Sequence, residues 1–392
     1  EKQEEEIEEV RKKIRREGFN LSKPPLAYLH LFILGRNEYR FIWTCHHILV
    51  DGWSLPLVLQ ELKRRYEAIV NKETLLWESP PPFESYIRWL SKQDDEKITG
   101  YWRNILSDFS SPTPLMVNKS RLDIHKSIEN LREHVHYLSE DFSALCRKFA
   151  RSCDVTLNAL VQIAWASVLS LYSGNEDILY GTTVSGRPPE LSGVEQMIGI
   201  FINTIPMRAK LKLQETALYN LKEVHNIIQE SNDFCHVSLS KLQPFASVPS
   251  GESLFYSLYV FENYPYAEDG SERKSVKMTI LKGYEKTNYP LTLIIAPGKE
   301  LLVKFSYDGD CFTEEVIENM AGHIEEALKW IINHPDHLLK DIDIVSEKEK
   351  NLLLNTFNDT YYDVPEEVTI HELIEKEAEL HPDKTAVVYK DE

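Results

Sequence analysis

The stretch His46-His47-Ile48-Leu49-Val50-Asp51-Gly52-Trp53-Ser54 constrains this chain more than any other. The run before it, Tyr39 to Cys45, is short and rich in aromatic and β-branched residues, which predicts a buried strand. After it, Leu55, Val58, Leu59, Leu62 and Tyr66 recur at helical spacing, with Pro56 placed where a first turn tolerates it. Because side chains alternate along a strand, His46 and His47 are expected on opposite sides, one toward a cavity and one toward the core. Asp51 and Gly52 fall in the turn, where an aspartate bonds backbone amides and a glycine permits positive φ or close backbone approach. A single histidine in an apolar strand reads as a core residue; two adjacent ones followed by Asp-Gly-Trp-Ser read as a site.

The pattern His-His-x-x-x-Asp-Gly resembles the signature of condensation domains of nonribosomal peptide synthetases, and later segments follow in that family's order. Phe83 to Leu90 resembles the family's aromatic helix, Ile198 to Arg208 its Phe-x-Asn-Thr-x-x-x-Arg segment, and Thr287-Asn288-Tyr289-Pro290-Leu291 a third. Four matches in order are far more specific than one. The resemblance implies an α/β, layered α+β fold: two chloramphenicol-acetyltransferase-like lobes forming a V, with a channel between them. It implies His47 as the catalytic residue, with His46, Asp51, Gly52, Trp53 and Ser54 shaping the site. Ser185, Arg187, Asn203, Thr204 and Asn288 are expected along the substrate channel. For Asn203, a turn-closing role is an equally good reading. The intact Gly52 and both histidines separate the chain from epimerising and heterocyclising branches of the family.

In that family the signature histidines come later in the chain, after an opening strand and helices that complete the N-terminal lobe. An arginine of that portion pairs with the motif aspartate. The resemblance thus implies an incomplete first lobe, weak activity of the chain taken alone, and an Asp51 lacking its usual partner, a costly state for a buried carboxylate.

Composition narrows the remaining classes. The 392 residues, 42% hydrophobic and 27% charged, allow a sizeable core and more than one domain. A net charge of -18 argues against nucleic acid as partner, and no run is long enough to span a bilayer. Five cysteines without paired metal spacing point to reduced thiols and a cytoplasmic location. His134 and His136 share a strand face but lack a third ligand, so no metal site is expected.

Along the chain, a charged amphipathic helix over Glu1 to Arg16 leads into a strand Ala27 to Leu34 and a hairpin turn at Gly35 to Glu38. A Pro-rich stretch from Trp77 and a polar crossing from Ser110 to Lys126 follow. Further strands are predicted at His134–Leu138, Asp177–Val184, Leu254–Phe261, Val276–Lys282, Leu291–Ile295 and Leu301–Tyr307. Helices are predicted near Phe142 to Phe149, over Thr156 to Leu171 with a cap at Asp154 or Thr156, and over Thr313 to Ile332. The expected division is a first-lobe remainder at 1–125, a second lobe at 126–345 and a linker at 346–366. Residues 367–392, with a helix to Leu380 and a strand Thr385–Tyr389, resemble the opening of an adenylation domain.

The implied chemistry is acyl transfer: the amine of an acceptor aminoacyl thioester attacks a donor acyl or peptidyl thioester. Both are held on phosphopantetheine arms of donor and acceptor carrier domains that reach His47 from opposite ends, and no cofactor is bound directly. A coenzyme-A-dependent acyltransferase of the same fold and a non-catalytic carrier-docking module remain as alternatives. A metal hydrolase built on His46, His47 and Asp51 is disfavoured, because neighbouring strand histidines diverge.

Overall fold

Ile7, Val10 and Ile14 recur at helical spacing and form the inner stripe of α1 (Lys2–Glu17), where Ile7 is buried. Glu4 of this helix pairs with Arg40 at 2.7 Å. Arg40 lies in the antiparallel hairpin of β1 (Ala27–Ile33) and β2 (Tyr39–Cys45), which runs in register from Ala27↔Cys45 to Ile33↔Tyr39. The hairpin and its turn sit where the sequence places them. One face of it, with Leu29, Leu31, Ile33 and Tyr39, is exposed.

Three helices follow: α2 (Ser54–Asn71), α3 (Glu84–Leu90) and α4 (Asp95–Leu106). Asp94 caps α4 by accepting from Lys97 N at 3.0 Å. Four-residue spacing buries Ile98, Trp102 and Leu106 on one face, and the Trp102 indole donates to Phe234 O at 2.9 Å.

The computed structural model describes residues 2–74, 79–115, 128–249, 251–262, 281, 283, 285–361 and 368–389. Trp77, most of the crossing expected over Ser110 to Lys126 with the lobe boundary at 125/126, and most of the strand expected over Val276 to Lys282 lie outside the described residues. The chain divides into two compact units, Glu1–Ile344 and Val345–Glu392.

The larger part of the first unit is a mixed six-stranded sheet. Its strands are β3 (Leu131–Leu138), β4 (Asp177–Val184), β5 (Asn203–Lys210), β6 (Ser257–Phe261), β7 (Leu291–Ala296) and β8 (Leu301–Asp308), ordered β3-β8-β7-β6-β4-β5. The pairs β4/β6 and β6/β7 are parallel and the others antiparallel. Its helices are α5 (Glu140–Ser152), α6 (Leu157–Ser173), α7 (Ala217–Asp233), the short α8 (Leu239–Leu242) and α9 (Glu314–Asn333). Every residue of α6 from Ala159 to Ser170 is buried, as its predominantly apolar composition requires, and the polar Gln162, Ser167 and Ser170 among them are hydrogen-bonded. Thr156, not Asp154, caps it, accepting from Ala159 N at 3.1 Å. The sequence reading contains no helix at Ala217–Asp233, although the Thr216 cap and the spacing of Leu221, Val224 and Ile228 encode one.

Arg208, at the end of the Phe-x-Asn-Thr-x-x-x-Arg segment, is buried on β5. It donates through Nε to Asp177 on β4 at 2.8 Å and also holds Ile105 O and Asp108 beyond α4. It therefore fastens the last turn of α4 to the sheet.

In the second unit, α10 (Glu347–Asn351) and α11 (Ile370–Leu380) each begin with a glutamate reaching back to the preceding cap, Glu349 to Ser346 N at 3.0 Å and Glu372 to Thr369 N at 2.8 Å. The predicted strand Thr385–Tyr389 is not formed: these residues have no regular secondary structure and no partner strand among the described residues. Apolar alternation alone does not make a strand when nothing completes its hydrogen bonds.

His134 and His136 do not converge on a ligand set. His136 Nε2 instead lies 2.7 Å from Glu325 on α9, and Lys329 approaches the same carboxylate at 2.9 Å. The His136 bond, followed by that of Lys329 and against partial burial, holds Glu325 at about 2. An unfolded glutamate titrates near about 4.3, so this stabilisation is complete above roughly pH 5 and is lost as pH falls toward 2. Glu325→Gln should cost about 1–2 kcal/mol at pH 6 and flatten the loss of thermal stability between about pH 5 and 2. Melting curves with the same acid slope for both proteins would refute this.

Candidate active site

Strand β2 ends at Cys45, one residue before the histidine pair. His46 N still bonds Leu26 O at 2.9 Å, and the chain then turns, with Leu49 N donating to His46 O at 3.1 Å. Strand alternation therefore does not orient the two histidines, contrary to the sequence expectation. His46 is tied into its own turn: Nδ1 accepts from Ile48 N at 3.1 Å, and its ring meets Phe19 edge-on at 6.0 Å. That bond places the proton of a neutral His46 on Nε2. His47 is exposed at the start of the turn and makes no side-chain hydrogen bond among the described residues.

Four residues on, the chain is fixed firmly. Asp51 is 2% exposed, and its carboxylate accepts from Ser54 N at 2.8 Å, Phe201 N at 2.9 Å and Ile202 N at 3.3 Å. Ser54 opens α2 and Trp53 before it offers no side-chain cap, so Asp51 satisfies a helix N-terminal amide from outside the helix. Ser54, wholly buried, donates from Oγ to Gly199 O at 2.9 Å and accepts from Gly199 N at 3.1 Å.

Asp51, expected to lack its usual partner from the N-terminal portion, is nevertheless paired within the chain. Arg187 supplies the partner: its Nη2 lies 3.4 Å from Asp51 Oδ1 and 3.1 Å from Ser54 Oγ, while Nη1 bonds Met197 O at 3.0 Å and also Val194 O. Its guanidinium lies 3.9 Å from the Phe201 ring centroid and 5.5 Å from that of Trp53. Burial pulls the Arg187 pKa below its usual range, against the opposing influence of Asp51. With its side chain only 4% exposed, Arg187 is an internal brace and not a channel wall.

Two glycines make this packing possible. Gly186 adopts φ +59°, and a Cβ there would stand 1.9 Å from Phe201 O. At Gly199 a Cβ would stand 2.2 Å from the Phe83 ring. Phe83 and Tyr86 of the α3 region pack on Phe201 with centroids 5.1 and 4.6 Å apart. Burial drives the Tyr86 hydroxyl up to about 12.

The other expected site residues divide. Trp53 donates from Nε1 to Glu195 O at 3.2 Å. Gly52 does not take a left-handed φ, which leaves close backbone approach as its expected contribution. Asn203 and Thr204 follow directly on Ile202, but Asn203 donates to Cys235 O at 2.7 Å and Val237 O at 2.6 Å and accepts from Thr204 N at 2.9 Å. It thus joins the segment 235–237 to β5, the turn-closing alternative. Ser185 is exposed at the end of β4, and Asn288 is exposed in the bend before β7, with no hydrogen bond to the Asp51 cluster. Gly199 and Phe83 carry roles that the sequence reading does not assign, although the glycine between Ile198 and Ile200 is a legible signal. Among the described residues no group of three His, Cys, Asp or Glu side chains is placed to hold a metal ion.

The family model for the condensation domain matches residues 1–354. The chain belongs to the condensation-domain family. Such domains are the peptide-bond-forming units of nonribosomal peptide synthetases. This condensation domain is 35% identical over 379 residues to one of the linear gramicidin synthase proteins of Brevibacillus parabrevis, covering 97% of this chain and 8% of the relative. It is 32% identical over 394 residues to surfactin synthase subunit 2 of Bacillus subtilis (strain 168), covering 99% and 11%. The chain therefore spans only about a tenth of these relatives. Among solved structures, the X-domain from teicoplanin biosynthesis aligns with a TM-score of 0.72 at 22% identity, over 86% of this chain and 79% of that one. The first condensation domain of the CDA synthetase aligns with a TM-score of 0.68 at 16% identity, over 86% and 75%. The fold is that of the chloramphenicol-acetyltransferase-like condensation structures. No single described helix is long and apolar enough to cross a membrane.

Removing one partner of a buried charge pair strands the other, so Arg187→Ala should destabilise the fold by about 3–5 kcal/mol. Arg187→Lys should recover only part of that loss, since an ammonium reproduces neither the flat stack on Phe201 nor the two-pronged reach. Urea denaturation measures both variants; wild-type stability in either would show that the brace is dispensable.

Proposed function

We propose that this condensation domain joins a donor acyl or peptidyl thioester to the amine of an acceptor aminoacyl thioester, both carried on phosphopantetheine arms of partner carrier domains. The supporting observation is the exposed imidazole of His47 on a turn whose far end is fixed by buried Asp51. An α-amine titrates near about 7.7–8.0, so a useful share is already neutral at cellular pH and a strong base is unnecessary. The amine nitrogen attacks the thioester carbonyl carbon and a C–N bond forms. His47 accepts or positions the amine proton as charge develops, the tetrahedral intermediate collapses, the C–S bond breaks, and the leaving thiolate takes up a proton. Holding both thioesters in one channel supplies a large share of the acceleration through proximity.

In this reading His46 holds the turn, Trp53 and Ser54 couple it to the loop 194–202, and Gly52 leaves room for backbone approach. Ser185, Asn203, Thr204 and Asn288 belong to the channel surroundings. Residues 367–392 are assigned to the opening of an adenylation domain, which would make that domain the downstream neighbour.

His47→Ala should lower dipeptide formation by about a hundredfold or more, measured in single turnover with carrier-loaded donor and acceptor. Its melting temperature should not change, because the side chain is exposed. Unaltered single-turnover rates would remove His47 from the reaction.

A further inference from the structure

The connector between α7 and α8 carries Cys235, His236 and Val237, and it reaches the histidine turn by a second route. Asn203, two residues beyond Phe201, fixes this connector from both sides of His236. Its Nδ2 donates to Cys235 O at 2.7 Å and to Val237 O at 2.6 Å. One amide group thus holds both carbonyls that flank His236, and the backbone of that residue is pinned to the start of β5.

The imidazole packs on α3. It meets Trp89 edge-on with centroids 4.7 Å apart and Tyr86 at 6.2 Å, and its Nδ1 lies 3.4 Å from the Tyr86 hydroxyl. Tyr86 is only 6% exposed, and His236 Nδ1 is the one hydrogen-bonding partner of its hydroxyl among the described residues. A buried hydroxyl left without a partner is costly, so even this long bond fixes where the phenol sits. Both groups are uncharged when they meet. Burial drives the phenol up to about 12 and lowers the pKa of His236 against the opposing influence of Glu190. The neighbouring Cys235 thiol is likewise pushed up to about 12 by burial.

These contacts close into a ring. Tyr86 packs on Phe201 at 4.6 Å, and the amides of Phe201 and Ile202 donate to Asp51 at 2.9 and 3.3 Å. Asn203 follows directly, and its amide leads back through 235–237 to His236. The loop 199–202 is therefore held on Asp51 through its aromatic side chain as well as through its backbone, and His236 is the link between the two.

We infer that His236 is a positioning residue for the condensation reaction: by fixing the Tyr86 hydroxyl it keeps Phe201 seated, and with it the amides that hold Asp51 and the turn bearing His47. It acts through these neighbours and touches no substrate. This rests on the condensation reading and adds to it a residue from another part of the chain.

A space-filling role makes the opposite demand on this position. A ring that only filled space would be replaced well by leucine and poorly by asparagine. A hydrogen-bonding partner is replaced poorly by leucine, which has neither donor nor acceptor, and well by asparagine, whose side-chain amide has both. Amide hydrogen exchange followed by NMR separates the two. In His236→Leu, and in Tyr86→Phe, which removes only the hydroxyl, the Phe201 and Ile202 amides should exchange about threefold to tenfold faster, as loss of one long hydrogen bond predicts. The Leu293 amide, in the β6/β7/β8 ladder, should keep its rate. Dipeptide formation at varied concentrations of loaded carriers should show kcat lowered by about threefold to tenfold with KM unchanged. Combining the two substitutions should add little to either alone, and His236→Asn should stay within about twofold of wild type in both measurements. Tyr86→Phe retains the ring and carries the test if His236→Leu fails to fold. Wild-type exchange at Phe201 and Ile202 in Tyr86→Phe, losses in His236→Asn as large as in His236→Leu, additive losses in the double variant, or a change confined to KM would overturn the inference. A wild-type chain that forms no dipeptide would instead strike the condensation reading, with the exchange rates still judging the link from His236 to Asp51.

Discussion

The buried carboxylate of Asp51 is the interaction on which the histidine turn and its surroundings depend. A charged group with almost no solvent exposure survives only if its hydrogen-bonding capacity is filled. Here three amides and a guanidinium fill it. Those partners come from the first turn of α2, from the loop 199–202 and from the end of the β4 loop. Satisfying one side chain therefore brings three distant segments together, with the histidine turn attached to the result.

Charge balance alone would not hold this arrangement. The Arg187–Asp51 contact is long at 3.4 Å, and the arginine is secured as much by carbonyls and by the Phe201 ring. Ser54 adds a two-way bond to Gly199, whose missing side chain admits the Phe83 ring. Each part is modest, but every polar group is placed by the same close packing, so loss of one member exposes the others.

The sequence makes much of this legible. Alternation and turn chemistry locate β1, β2 and the hairpin; apolar runs locate β4, β7, β8 and α6; and the histidine signature with its three companion segments leads to the family. What escapes has identifiable causes. The place of His46 and His47 depends on where β2 stops, a one-residue matter that side-chain patterns do not resolve. The partner of Asp51 lies 136 positions away in sequence, and proximity of that kind is not encoded in local spacing. Aromatic residues at helical spacing, such as Phe83 and Tyr86, look the same whether they fill a general core or wedge one functional loop. The helix Ala217–Asp233 is written plainly in its cap and spacing, yet the sequence reading passes over it.

The partners that hold the histidine turn are mostly main-chain groups: the amides of Phe201 and Ile202, both polar groups of Gly199, and the carbonyls of Val194 and Met197. Main-chain groups are the same whatever residue supplies them. Outside its glycine and its aromatic wedge, the loop can thus exchange side chains without releasing its grip on the turn, because what it offers is backbone.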